Sequence, residues 1–107
     1  VFTMEWLLLL AAGIFEIVWA VSQKYSDGFT RPLPTAITLV AATISFVLLG
    51  LAMKHIHLGT AYAIWTGIGI VGTALLGVWL FAEPATLTRL FFLGLILVGI
   101  VGLKLTY

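Results

Sequence analysis

One glutamate carries the clearest chemistry in this sequence. Glu16 lies in the middle of an apolar run from Met4 to Ser22. If that run crosses a membrane, an ionised carboxylate at its centre costs at least about 2.5 to 3.5 kcal/mol. Lys24 is the nearest basic residue along the chain and lies about 12 Å away along a helix. The carboxylate therefore needs a proton or an external cation as its partner. Since it cannot hold both at once, it indicates exchange of protons for a cation; the alternative is a neutral glutamate that donates one hydrogen bond between helices.

Polar and aromatic side chains accompany this glutamate at helical spacing. Trp19, one turn on, can donate its indole N–H to the carboxylate. The next apolar run has a small and polar stripe centred on Ser45, and the third places Tyr62, Trp65, Thr66 and Gly69 on one face. Hydroxyl and indole donors can orient a carboxylate, and aromatic faces suit a cation. Small residues that we expect to leave space beside the carboxylate are Ala12, Gly13 and Ala20. Interfacial anchoring, the alternative for aromatic residues, suits Trp6, Tyr25 and Tyr107.

The composition requires lipid as the main solvent of the chain. Of the 107 residues, 63% are apolar and only 8% are charged, whereas soluble domains carry about 25% charged residues. A soluble domain of this size has too little interior to hide so much apolar surface. A membrane-spanning helix needs about 20 apolar residues, so the chain has room for only a few spans. Large catalytic domains and extramembrane receptors are excluded.

Several functional classes lack the residues that they need. The net charge of +1 gives no basic surface for nucleic acid, and the absence of cysteine removes disulfides and thiolate chemistry. No serine has the partners of a nucleophile, and no glycine loop fits a phosphate. His55 and His57 lack a third metal ligand and are better interpreted as interfacial histidines. We therefore expect neither an enzyme, nor a cofactor, nor a metal site.

Uninterrupted apolar runs predict four transmembrane helices in one domain over residues 1–107. Short polar connections separate the runs and make consecutive helices antiparallel neighbours. The runs do not alternate in polarity as barrel strands do, and lipid tolerates no exposed irregular backbone. The fold class is therefore an all-α membrane protein. Its predicted spans are Met4 to Ser22, Leu33 to Met53, Thr60 to Phe81, and Leu87 to Leu105.

Basic residues give almost no preferred orientation in the membrane. Lys54 and Lys104 lie on the side of the N-terminus, and Lys24, Arg31 and Arg89 lie on the opposite side. Because lysine and arginine near span ends set orientation, a chain this balanced could insert both ways. Two copies in opposite orientation could then pair as an antiparallel dimer. A fixed topology remains the alternative from charge counting alone.

Glycines are predicted to have two roles. Gly67 and Gly69 lie close together in the third span, where missing side chains weaken a helix and permit a bend. With Gly72 and Gly77 they also form a predicted close-packing face. Gly94, Gly99 and Gly102 line one side of the fourth span, as small residues do at membrane helix interfaces. We expect that face to form the dimer contact, with packing inside one chain as the alternative.

The first residues carry an expectation of their own. Met4 resembles a natural start, so Val1 to Thr3 are expected to be additional to the native chain. The first apolar run has an acid in its middle and no basic leader, which is unlike a cleavable signal.

Three stretches together make the sequence recognisable: Phe15 to Trp19, Gly28 to Arg31, and Gly59 to Gly69. They resemble the small multidrug resistance family over essentially the whole chain. The resemblance implies an antiparallel, dual-topology homodimer of four-helix subunits in the bacterial inner membrane. It also implies exchange of protons for a cation at a site shared by two central glutamates. Glu16 would bind proton and substrate, supported by a network of Trp19, Ser45, Tyr62 and Trp65.

Within that family the sequence looks like the guanidinium exporter subtype. The markers are Trp19 one turn after the acid, the run Trp65 to Gly69, and the run Phe81 to Pro84. A planar guanidinium ion has N–H donors that fit a carboxylate in a bidentate manner. The aromatic residues could also enclose a quaternary ammonium drug, which is the alternative substrate class. A non-transporting membrane subunit of a larger assembly is the other alternative.

Overall fold

The chain folds into four helices, as the sequence predicts. A computed structural model describes residues 3–106, so the expectations for Val1, Phe2 and Tyr107 lie outside the described residues. Each helix is long and apolar enough to cross a membrane. The helices are α1 (Met4–Tyr25), α2 (Pro32–Ala52), α3 (Leu58–Phe81) and α4 (Leu87–Thr106).

The helix ends follow from local backbone chemistry. Pro32 opens α2, where its missing N–H costs nothing because the first N–H groups of a helix have no partner there. Ala82 has a φ of 54° and ends α3 in the left-handed region. Two ends differ from the predicted spans by more than one residue: α1 continues past Ser22 to Tyr25, and α3 begins at Leu58. In both cases the helix extends beyond its apolar run, because backbone hydrogen bonding continues into flanking residues.

The connection between α1 and α2 is held by a buried serine. The Ser26 hydroxyl donates to the Gln23 carbonyl at 2.6 Å and accepts the Phe29 N–H at 3.0 Å. Asp27, Gly28 and Phe29 all have positive φ, so the chain reverses within a few residues. This tight connection makes α1 and α2 antiparallel neighbours.

Helix α1 is packed between α2 and α3, whereas α4 packs against α3. The buried core is formed by α1, α2, α3 and the short connection before α3. None of the residues of α4 as described, Leu87–Thr106, is buried. The core therefore belongs to three helices, and the fourth lies on their surface. The core residues are Leu9, Ala12, Leu49, Ala52, Ile56, Ala61, Ile64 and Trp65.

Candidate functional site

The Glu16 carboxyl group rests directly on α3 at Gly69. A Cβ atom built on Gly69 would collide with Oε1 of Glu16 and would lie 2.9 Å from Oε2. Any other residue at this position would therefore push the carboxyl group away. The sequence predicts both a bend and close packing at Gly69, and the structure shows the close packing as an approach between two helices.

Three buried polar atoms around this contact have no hydrogen-bond partner in the described part of the chain. They are Oε1 of Glu16, Nε1 of Trp19 and Oγ1 of Thr66. The expected hydrogen bond from Trp19 to Glu16 is therefore not formed. Buried polar groups are nearly always paired, so three unpaired groups in neighbouring helices distinguish this region from an ordinary core. The sequence places Thr66 on the site face without giving it a role. Its buried hydroxyl has no hydrogen-bond partner among the described residues, which adds Thr66 to the candidate site.

Ser45 joins three helices one turn from the carboxylate. Its hydroxyl donates to the Ala12 carbonyl of α1 at 2.7 Å and accepts the Trp65 indole N–H of α3 at 2.9 Å. Ser45 is 0% exposed and Trp65 is 5% exposed, so both hydrogen bonds are shielded. Ser45 and Trp65, which were predicted separately, are thus brought together. The backbone acceptor at Ala12 has no signal in the sequence.

Aromatic rings form a continuous chain beside the site. The Trp19 ring lies 6.4 Å from that of Phe46, and Phe46 lies 5.7 Å from Trp65. Tyr62 follows, with its ring centroid 5.3 Å from that of Trp65. The predicted residues Trp19, Tyr62 and Trp65 are therefore linked, and Phe46 is the link that sequence reasoning missed. Its position next to Ser45 was the available signal. Tyr62 is 54% exposed and faces outward from the single chain.

The small residues of α1 and α3 serve close packing between helices. Helix α3 runs unbroken through Gly67 and Gly69, and a Cβ on Gly67 would lie 2.7 Å from the Ile100 side chain. Both glycines therefore serve close packing, and the bend stays a prediction. The expectation of free space at Gly13 is wrong, because Ile68 fills it: a Cβ there would lie 2.7 Å from the Ile68 side chain.

The glycines of α4 have open surroundings. A Cβ built on Gly94, Gly99 or Gly102 would meet nothing within 4 Å among the described residues. These positions therefore do not contribute to packing inside the described chain. Their predicted role as the contact between two copies stays a prediction.

Known proteins resemble this chain over nearly its whole length. A family model described as Small Multidrug Resistance protein matches residues 4–96. A guanidinium exporter from Yersinia pseudotuberculosis is 57% identical over 102 residues, covering 95% of this chain and 98% of the relative. Guanidinium exporters from Salmonella typhimurium and Citrobacter freundii are 55% and 52% identical over 103 residues, each covering 96% of this chain and 98% of the relative.

Proposed function

The chain belongs to the small multidrug resistance family, and on that basis we propose that it is a proton-coupled antiporter that exports guanidinium across the bacterial inner membrane. The observation that carries this proposal is the Glu16 carboxyl group. It lies inside a membrane-spanning helix, and its Oε1 atom is buried without a hydrogen-bond partner among the described residues. A proton or a cation satisfies that atom, and each excludes the other.

The unpaired acceptor favours guanidinium over a quaternary ammonium ion. Guanidinium has N–H donors in a plane and pairs with a carboxylate through hydrogen bonds as well as charge. A quaternary ammonium ion has no N–H group and would leave Oε1 of Glu16 unpaired. The relatives named as guanidinium exporters support the same choice. The aromatic rings of Trp19 and Trp65 offer faces for a planar cation in either case.

Two copies of the chain, in opposite orientations, form the proposed transport unit. Each contributes one Glu16, and the pair of carboxylates holds one guanidinium or two protons. A cycle that carries two protons in and one guanidinium out moves one net positive charge inward. The membrane potential then assists export by about 2.3 kcal/mol per 100 mV.

Charge movement in liposomes tests this proposal. Guanidinium added to reconstituted protein should evoke a capacitive current, and Glu16→Gln should abolish it because the amide is uncharged and does not bind or release a proton near neutral pH. Glu5→Gln is the matched control, since Glu5 lies in the first turn of α1, away from the site. Absence of a wild-type current, or a full current from Glu16→Gln, would refute the proposal.

A comparison of substrates and pH completes the test. Guanidinium should be transported in preference to a bulky quaternary ammonium, and the reverse order would assign the chain to drug export. Tryptophan fluorescence should respond to guanidinium and lose that response as the pH falls, because protons compete for the carboxylate. A structural subunit would show no such competition.

A further inference from the structure

A second carboxylate lies at one end of a cavity between α1 and α3. The cavity has a volume of about 390 Å³. Its walls include Ala20 and Thr73, which lie one helical turn beyond Glu16 and Gly69 respectively. At the other end it is lined by Glu83. The cavity thus follows the same seam between α1 and α3 as the central site, toward the ends of these helices.

The turn after α3 places the Glu83 carboxyl group into this cavity. Ala82 is in the left-handed region, with a φ of 54°, and turns the chain back over the helix end. The Glu83 N–H then donates to the Gly77 carbonyl at 3.2 Å. The carboxyl group rests on Gly77, where a Cβ atom would collide with Oε1 of Glu83. The arrangement repeats that of Glu16 on Gly69: a carboxyl group seated on a glycine of α3.

Cations of the chain itself already occupy this end of the cavity. Nη2 of Arg89 lies 3.3 Å from Oε1 of Glu83, and Nη1 donates to the Pro84 carbonyl at 3.0 Å. The Lys24 ammonium lies 5.6 Å from the centre of the Phe81 ring. Both an acidic group and an aromatic face therefore accept a cation here. The cation on the acidic group is a guanidinium, the same planar head group as the proposed substrate.

We propose that Glu83, at the cavity end that Phe81 also lines, forms an outer binding site for guanidinium, which the Arg89 side chain occupies until a free guanidinium ion replaces it. This proposal rests on the proposed function. The exchange replaces one guanidinium by another on the same carboxylate, so the charge-assisted pairing is kept. Arg89 and Glu83 are 34% and 38% exposed in their side chains, so the released Arg89 head group can enter water.

The local charge makes this outer site weak. Lys24 and Arg89 carry two positive charges against the single negative charge of Glu83, so a further cation is held less firmly than at Glu16. Partly exposed ion pairs contribute at most about 1 kcal/mol, which corresponds to about a fivefold change in binding. A weak outer site captures the ion and releases it along the cavity toward the stronger central carboxylate.

Transport kinetics distinguish an outer guanidinium site from a Glu83–Arg89 ion pair that has only a structural role. Glu83→Gln should raise the KM for guanidinium about two- to fivefold, with a smaller change in maximal rate. Arg89→Ala should lower the KM, because it removes the competing guanidinium. A purely structural pair would make both variants equally defective. An equal rise in KM in both variants, or an unchanged KM in both, would overturn the proposal.

A binding measurement on a variant that lacks the central carboxylate gives an independent answer. In Glu16→Gln protein, guanidinium should still shift the side-chain Nε–H resonance of Arg89, and the additional change Glu83→Gln should remove that shift. If Glu16→Gln protein loses transport but its Arg89 resonance still shifts, guanidinium binds at the outer site independently of the central carboxylate. If guanidinium transport fails in the wild type but the shift is present, the proposed function is wrong while the outer site stands. No shift at any guanidinium concentration that saturates wild-type transport would overturn the outer site.

Discussion

At the scale of single residues, the absence of a side chain at Gly69 is as important to the site as the presence of Glu16. The carboxyl group occupies the volume that a Cβ atom would take. The sequence could identify Glu16, because an acid in the middle of an apolar run is costly in lipid. It placed Gly69 on the site face of α3, but it did not show that the Glu16 carboxyl group rests on this glycine. Which glycine of α3 faces Glu16 depends on how the two helices are rotated and shifted against each other.

Gly69→Ala should therefore move the Glu16 carboxyl group without removing it. We expect guanidinium binding to weaken at least about tenfold, roughly 1.4 kcal/mol, while the helices still form. The measurement is a titration followed by tryptophan fluorescence. Gly50→Ala is the matched control, since a methyl group there meets nothing within 4 Å among the described residues. Equal guanidinium binding by Gly69→Ala and wild type would contradict the conclusion that the Glu16 carboxyl group must rest on Gly69.

Ser45 has a structural role that its position in the sequence only partly revealed. A polar stripe in α2 predicted its importance, but not its partners. Those partners are a backbone carbonyl of α1 and an indole of α3, and both depend on the three-helix arrangement. The same limit applies to Trp19, which can reach Glu16 at a helical spacing of three residues but whose indole N–H has no hydrogen-bond partner among the described residues.

Ser45→Ala should lower the free energy of unfolding in detergent by about 1 kcal/mol or more, because it leaves the buried Trp65 N–H unpaired. The midpoint of thermal unfolding measures the change. Thr43→Ala should change stability by less than about 0.5 kcal/mol, since Thr43 is exposed and its hydroxyl donates to the Leu39 carbonyl of its own helix. A Ser45→Ala protein as stable as Thr43→Ala would show that the three-helix junction contributes nothing.

At the scale of helices, apolar runs and turn residues were sufficient to predict the elements. Runs of about 20 apolar residues separated by proline, glycine and polar residues are compatible with only one fold class, an all-α membrane protein. The helix ends were less predictable, since α1 extends to Tyr25 through polar residues that can still complete backbone hydrogen bonds. The sequence also did not show which helices form the core. Hydropathy alone does not reveal that α1, α2 and α3 form it and that α4 does not.

The open glycine face of α4 is where a second copy is expected. Gly99→Leu should fill that face and reduce dimer formation in detergent by at least about tenfold, because packing of small residues drives association of membrane helices. Gly50→Leu is the control, as Gly50 is also open but lies on α2. Cross-linking yield or light scattering measures the dimer. If both variants dimerise like the wild type, the α4 face is not the contact.

At the scale of the whole molecule, the proposed insertion of the chain in two opposite membrane orientations depends on only a few basic residues. Lys54 and Lys104 lie on one side of the membrane, and three basic residues lie on the other. The sequence could reveal this balance but not its outcome, because the difference between two and three basic residues is too small to fix the orientation.

Changing that balance tests the antiparallel dimer. Lys54→Gln with Lys104→Gln should force one orientation, and Lys24→Gln with Arg31→Gln should favour the other. We expect each double variant alone to lose at least about half of the guanidinium resistance that the wild type gives to cells. Expression of both double variants together should restore resistance, because opposite orientations are then available. Full resistance from either double variant alone would favour a fixed, parallel arrangement.

The surface position of α4 also affects when the two copies of the proposed dimer can meet. Lipid chains solvate the apolar side chains of α4 about as well as a protein partner does, and α4 contributes no buried residue in Leu87–Thr106. Lipid therefore already covers the α4 face of a newly synthesised subunit before that subunit pairs. Copies made at different times on different ribosomes can diffuse in the bilayer as finished subunits and pair later, with no need for assembly during synthesis.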